Sequence, residues 1–156
     1  MSAALKCIED RDEDERLIAR ALEILARRHA RGKALTSPAA TQAFLRLRLG
    51  ARHFEIFGII FLDSKHRVIA IEDLFEGTID GASVYPRVVV QRALEHNAAA
   101  LIAYHCHPSG DPTPSRTDEV LTHRLKDALA LLDIRLLDHF VVSAEGSVSM
   151  AERRLL

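Results

Sequence analysis

The sequence predicts an α/β sandwich built on a mixed β-sheet flanked by helices, with a helical extension at the N-terminus. Three observations carry this reading. Strand-like and helix-like segments alternate along most of the chain, the pattern of a layered α/β domain. The run at 54–62 is almost wholly apolar, as in a strand covered on both faces, and a second apolar run at 98–104 belongs to a central strand at 98–106. Short turn-forming segments at 63–66 and at Glu145-Gly146 join neighbouring strands, so hairpins stand at both ends of the alternation.

Each element follows from its local pattern. Residues 1–12 read as a frayed tail. A helix over 13–31 carries an apolar stripe of Leu17, Ile18, Ala21, Leu22, Leu25 and Ala26 opposite Arg16, Arg20, Glu23 and Arg27. Its basic end complements the helix dipole and Gly32 stops it; contact with phosphates is the alternative use of these cations. The stripe must pack on this domain or on a second copy of the chain, which would make a homodimer. Residues 1–36 thus form a tail and amphipathic helix ahead of a domain at 37–156. Ser37 caps a second helix with Pro38 in its first turn, ending near Leu49-Gly50. Strands follow at 54–62 and 67–74, then a glycine-bracketed loop at 76–81. A helix at 84–96, with Pro86 near its start, precedes the strand at 98–106. A helix at 116–131, a strand at 134–142 and a short strand at 147–150 complete the chain.

Composition narrows the function classes. The 156 residues are 48% hydrophobic and 28% charged, ordinary values for a globular protein with room for one core. A net charge of −1 provides no global field for nucleic acid. Two cysteines, Cys7 and Cys106, are too few for a disulfide framework and suit a reducing compartment. No apolar stretch reaches the length of a membrane span, and the acidic N-terminus lacks a signal-peptide core, so a cytoplasmic protein is expected.

The chemistry concentrates in His105-Cys106-His107-Pro108-Ser109-Gly110-Asp111-Pro112-Thr113-Pro114-Ser115-Arg116-Thr117-Asp118. Residues i and i+2 of a strand share a face. His105 and His107 therefore present two imidazoles to one point, while Cys106 turns into the core. Asp118 can add a carboxylate from the helix that follows. Two histidines, one carboxylate and an open fourth position suit a single catalytic zinc ion per chain, although iron, cobalt or manganese accept the same ligands. Ser115 and Asp118 also match a helix capping pattern, and the two roles are compatible. Ser109 and Asp111 shape the turn, and Pro108, Pro112 and Pro114 stiffen it. His139 is read as a structural histidine, with a place beside the metal ligands as the alternative. The H-E-x-x-H zincin pattern is absent, as is the second half of the zinc deaminase signature.

The pattern H-x-H-P, six residues, S-x-x-D resembles the signature of JAMM (MPN+/JAB) metalloproteases. The surrounding segment resembles the RadC-type branch of that superfamily, at Phe75-Glu76-Gly77-Thr78, Tyr85-Pro86-Arg87, Asn97-Ala98-Ala99-Ala100, His107-Pro108-Ser109-Gly110-Asp111-Pro112 and Leu137-Asp138-His139. The resemblance covers about residues 37–156. It implies an MPN/JAB sandwich, similar to the cytidine-deaminase-like architecture, and a zinc-dependent hydrolase of peptide or isopeptide bonds. It carries the metal-ligand role to His105, His107 and Asp118, and the oxyanion-stabilising role to Ser115. The general-base role goes to Glu55 in Glu55-Ile56-Phe57-Gly58-Ile59-Ile60, with Glu76 as competitor. A carboxylate heading a buried strand is itself a sign of function, since it is costly without a partner. The implied partner is a peptide or protein substrate. The same resemblance admits two other readings: an accessory protein in DNA repair, recombination or mobile-element biology, and a scaffold that keeps the metal without turnover. RadC-type proteins carry a helix-hairpin-helix region ahead of the metal domain; the segment before Ser37 shows no such repeat, which weakens the DNA reading.

Overall fold

The computed structural model describes residues 3–28, 31–32, 37–77 and 83–156. In the first helix the side chains at 3–12, 25, 26 and 28 fall outside the description. The elements are α1 (Ala3–Arg28), α2 (Pro38–Leu49), β1 (Ile56–Leu62), β2 (Val68–Glu76), α3 (Pro86–Glu95), β3 (Ala100–Cys106), α4 (Arg116–Ala130), β4 (Arg135–Val142) and β5 (Ser147–Ser149). They form one five-stranded sheet in the order β2-β1-β3-β4-β5. β1 runs antiparallel to β2 and β3, β4 runs parallel to β3, and β5 returns antiparallel to β4. The expected mixed α/β sandwich is thus present, with hairpins at both ends.

Strand alternation sorts the core into two layers. Ile56, Ile60, Leu62, Ile102, Tyr104, Cys106, Phe140 and Val142 pack with Phe44, Leu45 and Leu49 of α2. Phe57, Ile59, Phe61, Leu101 and Ala103 face the other way, onto Val89 and Ala93 of α3 and Leu125 and Leu129 of α4. Both faces of β1 and β3 are therefore covered, which is why these strands read as unbroken apolar runs.

The element ends show what local pattern alone leaves open. The helical segment starts at Ala3 and ends at Arg28, so most of the expected frayed tail is helix and the stop falls before Gly32. Ala3, Ala4, Leu5 and Lys6 are good helix formers, and they extend the element upstream of its apolar stripe. Gly32 adopts φ +85° and its N–H donates to Val68 O at 2.8 Å. Leu17 and Ile18 of the stripe remain 69% and 45% exposed, so this domain does not use up that face. Leu25 and Ala26 of the stripe, Cys7, and residues 78–81 of the glycine-bracketed loop fall outside the described side chains or residues. β1 begins at Ile56 rather than at 54, because the ladder changes partner there: Ile56 N–H donates to Cys106 Sγ at 3.3 Å, and the Cys106 thiol donates to Phe54 O at 3.4 Å. α3 starts at Pro86, since a proline at the first helical position keeps Tyr85 extended. β3 starts at Ala100 because Asn97, with φ 50°, and Ala98, bonded to Ala93 O, close the end of α3.

An ion-pair cluster ties β2 to α3. Glu72 accepts from Arg92 at 2.5 and 2.9 Å and lies 2.7 Å from His96 Nε2. The Arg92 hydrogen bonds, outweighing partial burial and helped by His96, hold the Glu72 carboxyl below the usual carboxylate range. A depressed folded value means stability that is present above the unfolded value of about 4.3 and is lost as pH falls through the lower folded value. Glu72→Gln is therefore expected to flatten the acid limb of a melting-temperature profile taken below about pH 4.5. An acid limb identical to wild type would show that solvent screens this cluster.

Candidate metal centre

The sheet delivers both histidines to the α4 side. His105 shares the face of Leu101 and Ala103 at the end of β3 and is 5% exposed. His107 follows one residue past the strand, still held by its N–H to Val142 O at 2.8 Å. Cys106 between them is 2% exposed in the α2-side core, as alternation predicts. Burial pushes its thiol up, so it stays protonated and inert.

The loop after His107 is built from its own polar groups. His107 Nδ1 lies 2.9 Å from Asp111 O, and Asp111 Oδ1 accepts from Thr113 N at 2.8 Å. Gly110 takes φ +97°, a conformation that favours glycine, in the turn closed by its N–H to His107 O. Ser115 then caps α4. Its hydroxyl accepts from Asp118 N at 3.1 Å, while Asp118 Oδ2 accepts from both Ser115 N and Ser115 Oγ at 2.7 Å. The capping reading of this pair is correct and does not compete with the metal reading. Oδ2 is used by the cap, and Oδ1 faces His105 Nε2 at 3.3 Å.

His105, His107 and Asp118 are the group of the described residues whose donor atoms converge as a metal site would require, all within 4.8 Å of one another. The two Nε2 atoms are 2.9 Å apart, and His107 Nε2 lies 3.4 Å from Asp118 Oδ2. An ion with bonds of about 2.0–2.1 Å in tetrahedral geometry places its ligand atoms about 3.3 Å apart, close to the 2.9 Å between the two nitrogens and the 3.3 Å from His105 Nε2 to Asp118 Oδ1. The donor chemistry fits as well. His107 Nδ1 faces a carbonyl, which only accepts, so the ring hydrogen lies there and Nε2 presents its lone pair to the cluster. A lone pair, a second ring nitrogen and a carboxylate at these distances offer three donors to a cation. Burial alone would raise the Asp118 carboxyl, but the facing His105 and His107 rings and the cap bond from Ser115 hold it far below the usual carboxylate range. Asp118 conversely raises His107, against the effect of its burial.

The other proposed positions fall as follows. Glu55 is half-buried just before β1, and its carbonyl accepts from Gly77 N at 2.8 Å. Phe57 pairs with His105 across β1 and β3; carrying that register onward sets Glu55 opposite His107, on the same face. The Glu55 charge contributes to raising His107. Glu76 pairs with Ile56, whose side chain belongs to the α2-side core, so Glu76 stands on the opposite face of the sheet from His105. His123 is exposed on α4. His139 is fully buried, with Nε2 2.7 Å from His105 Nδ1 and Nδ1 2.6 Å from Thr122 Oγ1. Thr122 escapes sequence reasoning; its one signal is its place four residues after Asp118, on the same helix face.

This mixed sheet, with a histidine pair leaving β3 and a carboxylate on the capped turn of α4, agrees with a JAB-type α/β domain. The RadC-like JAB domain family matches residues 35–155, and the chain belongs to that family. It is 62% identical over 137 residues to a UPF0758 protein of Thioalkalivibrio sulfidiphilus, covering 85% of this chain and 61% of that protein. A UPF0758 protein of Nitrosococcus oceani is 57% identical with the same coverage. One from Vibrio cholerae is 50% identical over 145 residues, covering 93% of this chain and 92% of that protein. The chain thus spans about three-fifths of the length of the first two relatives. Among the described residues no helix is long and apolar enough to cross a membrane.

Proposed function

We propose that this domain is a zinc-dependent hydrolase of peptide or isopeptide bonds, with His105, His107 and Asp118 as the ligands of one zinc ion. The observation that carries the reading is the convergence of two imidazole nitrogens and a carboxylate oxygen within 4.8 Å of one another, between one capped helix turn and one strand end. A zinc ion held by these residues would supply a water of near-neutral pKa and a Lewis acid for a substrate carbonyl.

The chain's own residues supply the rest. Glu55, on the His107 side of the cluster, accepts the proton from the attacking water on its carboxylate and returns it to the leaving amine nitrogen. Its register supports this assignment over Glu76. Ser115 holds Asp118 through its hydroxyl and its N–H; turned from Asp118 Oδ2 to the substrate, the same hydroxyl hydrogen would meet the developing oxyanion. Phe57, stacked at 6.4 Å on His105, gives the site a dry wall. The DNA-associated reading draws support from no specific observation among the described residues. The test is hydrolysis of zinc-supplemented protein against fluorogenic peptides and isopeptide-linked substrates, with Glu55→Gln in parallel. Turnover in the wild type that disappears in the variant supports the reading; inertness of zinc-loaded wild type towards both bond types would leave a binding scaffold.

A further inference from the structure

We infer that His139 and Thr122 act as positioning residues that fix the tautomer of His105 and thereby decide which of its nitrogens faces the metal. The inference rests on the reading of His105, His107 and Asp118 as ligands. It follows from where each hydrogen must lie. Thr122 Oγ1 is 2.6 Å from Asp118 O, which can only accept, so the single hydroxyl hydrogen points there. The same oxygen is 2.6 Å from His139 Nδ1, which must then be the donor. His139 has no solvent contact, and the Asp138 carboxylate bonds its backbone N–H and not its ring, so the ring is neutral and its Nε2 carries a lone pair. That lone pair lies 2.7 Å from His105 Nδ1, which must donate to it. His105 Nε2 is thus left without a hydrogen, facing His107 Nε2 and Asp118 Oδ1.

One chain of hydrogen bonds therefore runs from the backbone of one ligand, Asp118, through Thr122 and His139, to the far side of another, His105. His107 reaches the same state by a separate route, through Asp111 O. Phe57 seals the relay, with its ring 5.5 Å from His139 and 6.4 Å from His105. Groups that orient a ligating histidine in this way are worth about 10–100-fold in metal affinity.

The test uses the full chain with His139→Leu, His139→Gln and Thr122→Val, each checked for folding by the thermal melt of the zinc-free form. Nitrogen–proton correlation spectra of the imidazoles in zinc-free protein report the tautomer without reference to metal. Wild type is expected to hold the His105 hydrogen on Nδ1. His139→Leu is expected to distribute it between both nitrogens and to weaken zinc binding about 10–100-fold. His139→Gln, whose amide oxygen can accept from His105 Nδ1, is expected to restore both. Thr122→Val keeps the shape of the side chain and is expected to lose part of the affinity. A folded His139→Leu protein with wild-type zinc affinity and the hydrogen still on Nδ1 would overturn the inference, as would a wild type with the hydrogen on Nε2. A wild type that binds no zinc, yet holds the His105 hydrogen on Nδ1 only while His139 or Gln is present, would refute the metal reading and leave the relay standing.

Discussion

Glu55→Gln is expected to lower hydrolysis by about 10²–10⁴-fold while leaving zinc content unchanged, the range set by removing a positioned proton acceptor. The amide keeps the size and hydrogen-bonding capacity of the side chain but cannot take a proton from water. Glu55 precedes β1 and is no part of the donor cluster, so the ligands should be undisturbed. Glu76→Gln is the matched control. Glu76 pairs with Ile56 on the face away from His105, and its loss should change turnover by less than a few fold. Turnover rates and zinc stoichiometry of the two variants, measured side by side, decide the point. If Glu76→Gln is the inactive variant and Glu55→Gln the active one, the register argument is wrong.

Gly58→Ala is expected to destabilise the domain by about 3–5 kcal/mol. A Cβ on Gly58 would meet Tyr104 Cζ and Oη at 2.3 Å and Cε2 at 2.5 Å. The contact is forced by register. Gly58 stands between Tyr104 on β3 and Asp73 on β2, and the tyrosine ring crosses over it to donate its hydroxyl to Asp73 Oδ1 at 2.6 Å. Arg48 of α2 binds the other oxygen of Asp73 at 2.9 Å. Displacing the ring therefore strains a packed core and breaks a hydrogen bond that spans β1, from β3 to the edge strand β2. Burial, reinforced by the Asp73 hydrogen bond, pushes the Tyr104 hydroxyl far above its usual range, so it remains a donor. Denaturant unfolding measures the loss. A double variant Gly58→Ala/Tyr104→Leu should be more stable than the sum of its single changes, because the clash is shared. A Gly58→Ala protein within 1 kcal/mol of wild type would show that the ring has room to move.

What the chain reveals about itself follows from how local each feature is. Ser37-Pro38 and Ser115 with Asp118 mark helix starts through contacts spanning three or four residues, and both caps form. The alternation of His105, Cys106 and His107 needs only a strand, so the shared face of the histidines is legible before any partner strand is known. His139 and Thr122 lie 34 and 17 residues from the ring atoms they contact, and their role depends on the parallel pairing of β3 with β4 and on the rotation of α4. No pattern within one segment encodes that. The choice between Glu55 and Glu76 is of the same kind, because it turns on which face of the sheet each residue's cross-strand partner occupies. The start of α1 escapes the sequence pattern for a different reason. Its upstream part has helix-forming residues without a continued apolar stripe, and periodicity is blind to such a segment.

The central claim is that His105, His107 and Asp118 hold one metal ion, and elemental analysis of purified protein tests it most directly, wild type beside His107→Ala. About one zinc per chain in the wild type, lost in His107→Ala while the zinc-free melts of the two proteins stay close, is the predicted result. A wild type that carries no metal and takes up none on addition of zinc would contradict it.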